Sequence, residues 1–164
     1  MSQAILQASE PVEIYLLPGD FHFGDKNTRI RTVLGSCVSI AVWHPLLHIG
    51  GMSHSMLPNR GKPGNHNLNG MYCDEAIELL LREIGKRNTR PDEYQVKLFG
   101  GGNMFRQSIP ERAFNVAGRN IEAARALLEA GGFNIHAEHV GGSGHRSLIF
   151  DLRDGNVSVK HEKI

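Results

Sequence analysis

Cys37 and His54 are the residues of this chain whose types and spacing best suit chemistry. A thiolate is a strong nucleophile, but a free thiol ionises only near pH ~8.5, so an adjacent imidazolium is the cheapest way to stabilise the anion at neutral pH. The sequence can bring the two together if the segments before and after Pro45-Leu46 fold as an antiparallel hairpin. A two-residue loop there pairs His44 with Leu47 and sets Cys37 directly opposite His54. A four-residue loop, pairing Trp43 with His48, gives the same register and suits Pro45 better. Directly opposed residues share a face with Cβ atoms about 4.5–5.5 Å apart, within reach for a thiol and an imidazole. An odd loop length would turn His54 to the other face.

Such a pair needs a third polar group to orient the imidazole, and Thr32, Ser36, Ser53 and Ser55 are close enough in sequence to supply it. Thr32 is the expected choice. Gly35 and Ser36, just before Cys37, allow a sharp turn that exposes the thiol and directs amide N–H groups toward a developing oxyanion. The bland reading stands beside this one: a Cys opening a buried strand is often a small core residue, and a strand His is often structural.

Other reactive types read as structure. His44, His48 and His54 with Cys37 match no standard metal spacing, and no carboxylate lies among them. Cys73 falls on an apolar helical stripe, where a packed thiol is the usual occupant. Gly100-Gly101-Gly102 is not followed by the Gly-Lys-Ser/Thr of a phosphate-binding loop. Met104 and Phe105, after those glycines, are candidates for an apolar tip that a partner buries, with core packing as the alternative. The scattered histidines, His139, His145 and His161 among them, read as surface residues.

The elements that must position the pair are mostly strands. Val12, Ile14 and Leu16 alternate with polar residues before Pro18-Gly19, Arg29 to Leu34 alternates again, and Val38 to Trp43 is a continuous run expected to be a buried strand. Leu47 to Leu57 reads as its partner, with Gly50-Gly51 marking a close backbone approach. Cys73, Ala76, Ile77, Leu80 and Ile84 define an amphipathic helix. A strand follows at Tyr94 to Leu98, and a second helix is expected from Asn120, as N-cap, to Ala130 before Gly131-Gly132. Strand-like segments return around Phe133 to His139, Leu148 to Phe150 and Val157 to Val159, the last two joined by an Asp154-Gly155 turn. Many strands with two helices, out of strict alternation, predict an α+β fold rather than a doubly wound one.

Bulk properties narrow the function. With 164 residues the chain suits one domain, expected over 11–164 behind a flexible tail at 1–10. Lys plus Arg (18) nearly balance Asp plus Glu (17), so no overall field draws nucleic acid or anionic lipid. No apolar run is long enough for membrane insertion, and the first residues lack a secretory pattern, so a cytoplasmic setting is expected. Two cysteines are too few for a disulfide framework.

Thr32-Val33-Leu34-Gly35-Ser36-Cys37-Val38, followed by Gly50-Gly51-Met52-Ser53-His54-Ser55-Met56-Leu57-Pro58, resembles the signature of the chemoreceptor glutamine deamidases, the CheD family. The resemblance continues through Tyr72 to Ile77, Phe99 to Phe105, Gly118-Arg119-Asn120, Glu138, Gly141-Gly142 and Arg146-Ser147, covering nearly the whole chain after the tail. It implies hydrolysis of particular glutamine side chains on methyl-accepting chemotaxis receptors to glutamate and ammonia, with no metal or organic cofactor. By the same resemblance Cys37 is the nucleophile, His54 the general acid and base, and Thr32 the third member. It also implies a layered sandwich of packed β-sheets flanked by helices, like the catalytic domain of glutamine-deamidating toxins. A CheC-type chemotaxis phosphatase is an implied partner, in the neighbourhood of Met104 and Phe105, and regulating it is the alternative function.

Overall fold

The apolar run after Cys37 forms strand β4 (Val38–His44), in which every residue is buried. A strand covered on both faces has no reason to alternate, and this explains the continuous run. The computed structural model describes residues 10–62, 67–104 and 115–164. Of the expected tail at 1–10 only Glu10 falls among these, and Phe105 lies outside them.

Strand β4 is the centre of a five-stranded sheet with β2 (Phe21–Gly24), β5 (Ile49–Ser53), β6 (Gln95–Gly100) and β7 (Ile135–Val140), in the order β2-β5-β4-β6-β7. Only the β6–β7 pair in it is parallel. A second sheet has the order β1-β3-β8-β9, from β1 (Val12–Leu16), β3 (Thr28–Leu34), β8 (His145–Asp151) and β9 (Val157–Glu162), with β1 parallel to β3. Helices α1 (Cys73–Lys86) and α2 (Val116–Ala130) complete the α+β architecture, as expected.

Two cores hold three layers together. Val38, Ile40 and Val42 face the helices and pack with Cys73, Ile77, Leu80, Ala124 and Leu128. Cys37, Ala41 and Trp43 face the other sheet and pack with Ile30, Leu34, Leu148 and Phe150. The alternation of β4 therefore sends even-numbered residues to the helical layer and odd-numbered ones into the sandwich. Cys37 belongs to the second set.

The hairpin between β4 and β5 differs from both expected forms. Its loop is Pro45 to His48 and its closing pair is His44 with Ile49, so Cys37 is not directly opposite His54. The cause is local: His44 Nδ1 accepts the N–H groups of Leu46 and Leu47, and the His48 N–H bonds the His44 carbonyl at 2.8 Å, with His48 at a φ of 55°. Four residues are spent in the turn beyond His44, which shifts the register by two and leaves each side chain on its expected face.

Strand β5 is shorter than the expected Leu47 to Leu57. A Cβ on Gly50 would collide with the Val42 carbonyl, and one on Gly51 would stand 2.6 Å from that of His22, so both glycines are required by close strand approach. The strand that approaches Gly51 is β2, which the sequence reading did not foresee. The second helix begins at Val116, not after Asn120. Asn115 is its N-cap, accepting the Gly118 N–H at 3.0 Å, while Asn120 lies inside the helix and is buried.

Candidate active site

Cys37 sits between the end of β3 and the start of β4, after a bend at Gly35-Ser36. Backbone attachments hold the bend on both sides. The Gly102 N–H donates to the Gly35 carbonyl at 2.8 Å, and Val38 exchanges both backbone hydrogen bonds with Ser55, at 3.0 and 2.9 Å. The Val38–Ser55 pair continues the β4–β5 register, placing Cys37 across from Met56 and His54 across from Ser39. Cys37 and His54 are thus diagonal neighbours on the inner face of one sheet. Such a diagonal spans about 7–8 Å between backbones, a gap that an imidazole can bridge.

His54 is anchored at its backbone by the turn after β1. Its N–H donates to the Asp20 carbonyl at 3.1 Å and its carbonyl accepts the Gly19 N–H at 2.8 Å. Its ring, 2% exposed, points across the sandwich to β3, where Nδ1 lies 2.7 Å from the Thr32 hydroxyl. That hydroxyl has a single proton, which it gives to the Leu16 carbonyl at 2.8 Å. Nδ1 must therefore carry the proton in its bond to Thr32. The lone pair is left on Nε2, which is buried and has no hydrogen-bond partner.

Burial sets the charge states. It lowers the pKa of His54 below the ordinary imidazole value, with the Asp20 charge and the Leu16 carbonyl opposing. It raises the Cys37 thiol above the ordinary value. Both shifts favour the neutral forms, a thiol and an imidazole, over the imidazolium and thiolate that the sequence suggests. A neutral Nε2 lone pair suits a base that takes the thiol proton as the sulfur attacks.

Of the four candidates for the third position, only Thr32 meets the ring. Ser53 Oγ accepts the Ile40 N–H at 3.3 Å, and Ser55 Oγ donates to the Gly70 carbonyl at 2.7 Å. His44 is occupied by its own loop and by Glu93 at 3.2 Å, and the His48 ring packs on Trp43. Among the described residues no three His, Cys, Asp or Glu side chains gather as metal ligands. Cys73 is fully buried in the helical core, its thiol pushed up to about 12 by burial. Met104 is 41% exposed and packs over the bend, where a Cβ on Gly35 would lie 3.3 Å from its sulfur.

Two further residues act near the site. Asp20 acts on His54 through its charge, brought there by a turn whose geometry no spacing rule reveals. Asn120 donates from Nδ2 to the carbonyls of Ser36 (3.2 Å) and Met56 (2.9 Å). Its signal was present, since it lies on the same stripe of α2 as buried Ala117, Ile121, Ala124 and Leu128. A polar residue on an apolar stripe needs a partner.

The family model described as CheD chemotactic sensory transduction matches residues 56–161. A probable chemoreceptor glutamine deamidase CheD of Pseudomonas syringae pv. tomato is 50% identical over 155 residues, covering 93% of this chain and 91% of the relative. One from Dechloromonas aromatica is 50% identical over 149 residues, covering 91% and 87%. A more distant one, from Leptospira interrogans, is 37% identical over 165 residues, covering 95% and 96%. Among solved structures, the hypothetical protein YfiH of Bacillus licheniformis is 11% identical, with a TM-score of 0.47 over 84% of this chain and 61% of that one. The chain belongs to the CheD family, an enzyme family whose curated members here bear the name chemoreceptor glutamine deamidase.

Proposed function

We propose that this chain hydrolyses the side-chain amides of particular glutamines on methyl-accepting chemotaxis receptors in the cytoplasm, giving glutamate and ammonia. The observation that carries this reading is the Thr32–His54 contact, which leaves a buried, unpartnered Nε2 on the face that also bears Cys37. The family membership supplies the substrate class.

The steps follow from the proton positions. His54 Nε2 takes the Cys37 proton as the sulfur attacks the carboxamide carbon, forming a tetrahedral oxyanion. Collapse breaks the C–N bond, and the imidazolium returns its proton to the departing ammonia. Water then attacks the thioester, giving its proton to Nε2. The second collapse releases glutamate, and the Cys37 sulfur recovers its proton from His54. No step calls for a metal or an organic cofactor.

Incubation with the cytoplasmic part of a receptor, followed by peptide mass analysis, tests this. Wild type should convert chosen glutamines to glutamates and Cys37→Ala should not. Equal conversion by both would refute the Cys37 role.

A second role rests on Met104. Its exposed side chain covers the bend just before Cys37, so a CheC-type phosphatase docked on Met104 would sit close to the nucleophile. Binding that persists in Cys37→Ala and is lost in Met104→Ser supports it; binding indifferent to Met104 refutes it.

A further inference from the structure

We infer that Asn120 is a positioning residue that aims the N–H groups of Ser36 and Cys37 at the oxyanion of the reacting amide, an inference resting on the deamidase reading above. Asn120 is fully buried, and both protons of its amide are committed to carbonyls flanking the nucleophile. One is that of Ser36, immediately before Cys37. The other is that of Met56, across the strand pair from Cys37. Two carbonyl acceptors require the NH2 end of the side chain, so Oδ1 is left buried without a partner. An unsatisfied buried acceptor costs about 1–3 kcal/mol. An apolar residue would avoid that cost, so what the amide supplies here is its grip on the bend.

The grip determines where the amide protons point. The Ser36 C=O and the Cys37 N–H belong to one planar trans peptide and face opposite ways. The Gly35 C=O and the Ser36 N–H are related in the same manner. The Gly35 carbonyl is held by the Gly102 N–H and the Ser36 carbonyl by Asn120, beside Gly101, where a Cβ would lie 2.5 Å from the Ser36 oxygen. Both carbonyls therefore turn to the side of the triple glycine and α2. The two successive N–H groups turn to the other side.

Among the described residues neither of these N–H groups donates to a backbone or side-chain acceptor. Backbone donors left free beside a nucleophile are available to an anion that forms there. In acyl transfer the charge that needs such a site is the oxygen of the tetrahedral intermediate, one bond from the carbon joined to Sγ. Thr32 and His54 manage the protons; Asn120 holds the frame that receives the charge.

The test separates charge stabilisation from nucleophile reactivity. The full chain is assayed for deamidation of a receptor cytoplasmic fragment, and separately for alkylation of Cys37 by iodoacetamide, a displacement that develops no oxyanion. In Asn120→Ala, kcat should fall at least about tenfold while KM and the alkylation rate stay within about threefold. Gly101→Ala, whose Cβ would press on the Ser36 oxygen at 2.5 Å and on Ala117 of α2 at 3.0 Å, disturbs the same carbonyl with the Asn120 side chain still present; it should do the same and carries the test if Asn120→Ala fails to fold. A kcat within twofold of wild type in a folded variant would overturn the inference. So would a parallel fall in kcat and alkylation, which would mark a merely structural residue. If wild type itself leaves every receptor glutamine intact, the deamidase reading fails and takes this inference with it; an active wild type with indifferent variants overturns the inference alone.

Discussion

The Thr32 hydroxyl accepts the Nδ1 proton of His54 at 2.7 Å and passes its own proton to the Leu16 carbonyl at 2.8 Å, linking β1, β3 and the segment after β5 in one chain of hydrogen bonds. Thr32→Val keeps the shape and removes both contacts. It should lower kcat by about 10- to 100-fold, because the ring loses the partner that fixes its tautomer and orientation. Thr32→Ser should recover most of the rate. Equal activity of the Val and Ser variants in steady-state assays would show that the hydroxyl plays no part.

The resting charge state has a pH signature. Burial raises the Cys37 pKa and lowers that of His54, and both shifts favour the neutral pair. Alkylation of Cys37 by iodoacetamide follows the thiolate. Its rate should climb with pH through and beyond the ordinary thiol range near ~8.5. A fast, pH-independent rate between about pH 6 and 8 would instead reveal a thiolate–imidazolium pair and contradict the neutral assignment.

Cys73 links stability to alkaline pH. Its thiol titrates at about 12 in the folded chain, against an ordinary value of 9.0. Between those limits the folded state keeps a proton that the unfolded state has lost, so the stabilisation is complete below the unfolded value and is lost as pH rises. The slope for one such group is about −1.4 kcal/mol per pH unit. Denaturant unfolding of Cys73→Ala should show a correspondingly flatter decline between about pH 9 and 11 than wild type. Identical slopes would mean that the thiol ionises alike in both states.

Two glycines should respond in opposite directions to alanine. At Gly51 a Cβ would stand 2.6 Å from the His22 carbonyl and 2.7 Å from the Phe23 ring, so Gly51→Ala should prise β2 from β5 at a cost of about 2 kcal/mol or more. At Gly85, in α1, a Cβ meets nothing within 4 Å, and Gly85→Ala should stabilise by about 0.5–1 kcal/mol. Denaturation midpoints check both, and a stable Gly51→Ala would refute the close strand approach.

What could be read from the sequence depended on whether a feature is periodic or conformational. The shared face of Cys37 and His54 was legible because strand parity survives a register shift of two. Their diagonal offset was not, because it arises from the His44 imidazole capping its own loop. The continuous β4 run announced burial on both faces, whereas Phe21–Gly24 is too short for alternation to single it out as a strand. The residue type of Asn120 suggests a helix cap, while its place on the apolar stripe of α2 points inward. The helix starts earlier because Asn115 is the residue that caps it. Asp20 and the Leu16 carbonyl reach His54 through a turn at Pro18-Gly19, a relationship that exists only once the two sheets have packed.

Acid quench of the enzyme with a receptor glutamine peptide, followed by intact mass analysis, shows whether the Cys37 sulfur carries the acyl group. An adduct of enzyme plus peptide less ammonia, mapped to Cys37, should be present in wild type and absent from Cys37→Ala, which should also form no glutamate. Glutamate formed by Cys37→Ala at the wild-type rate would contradict it.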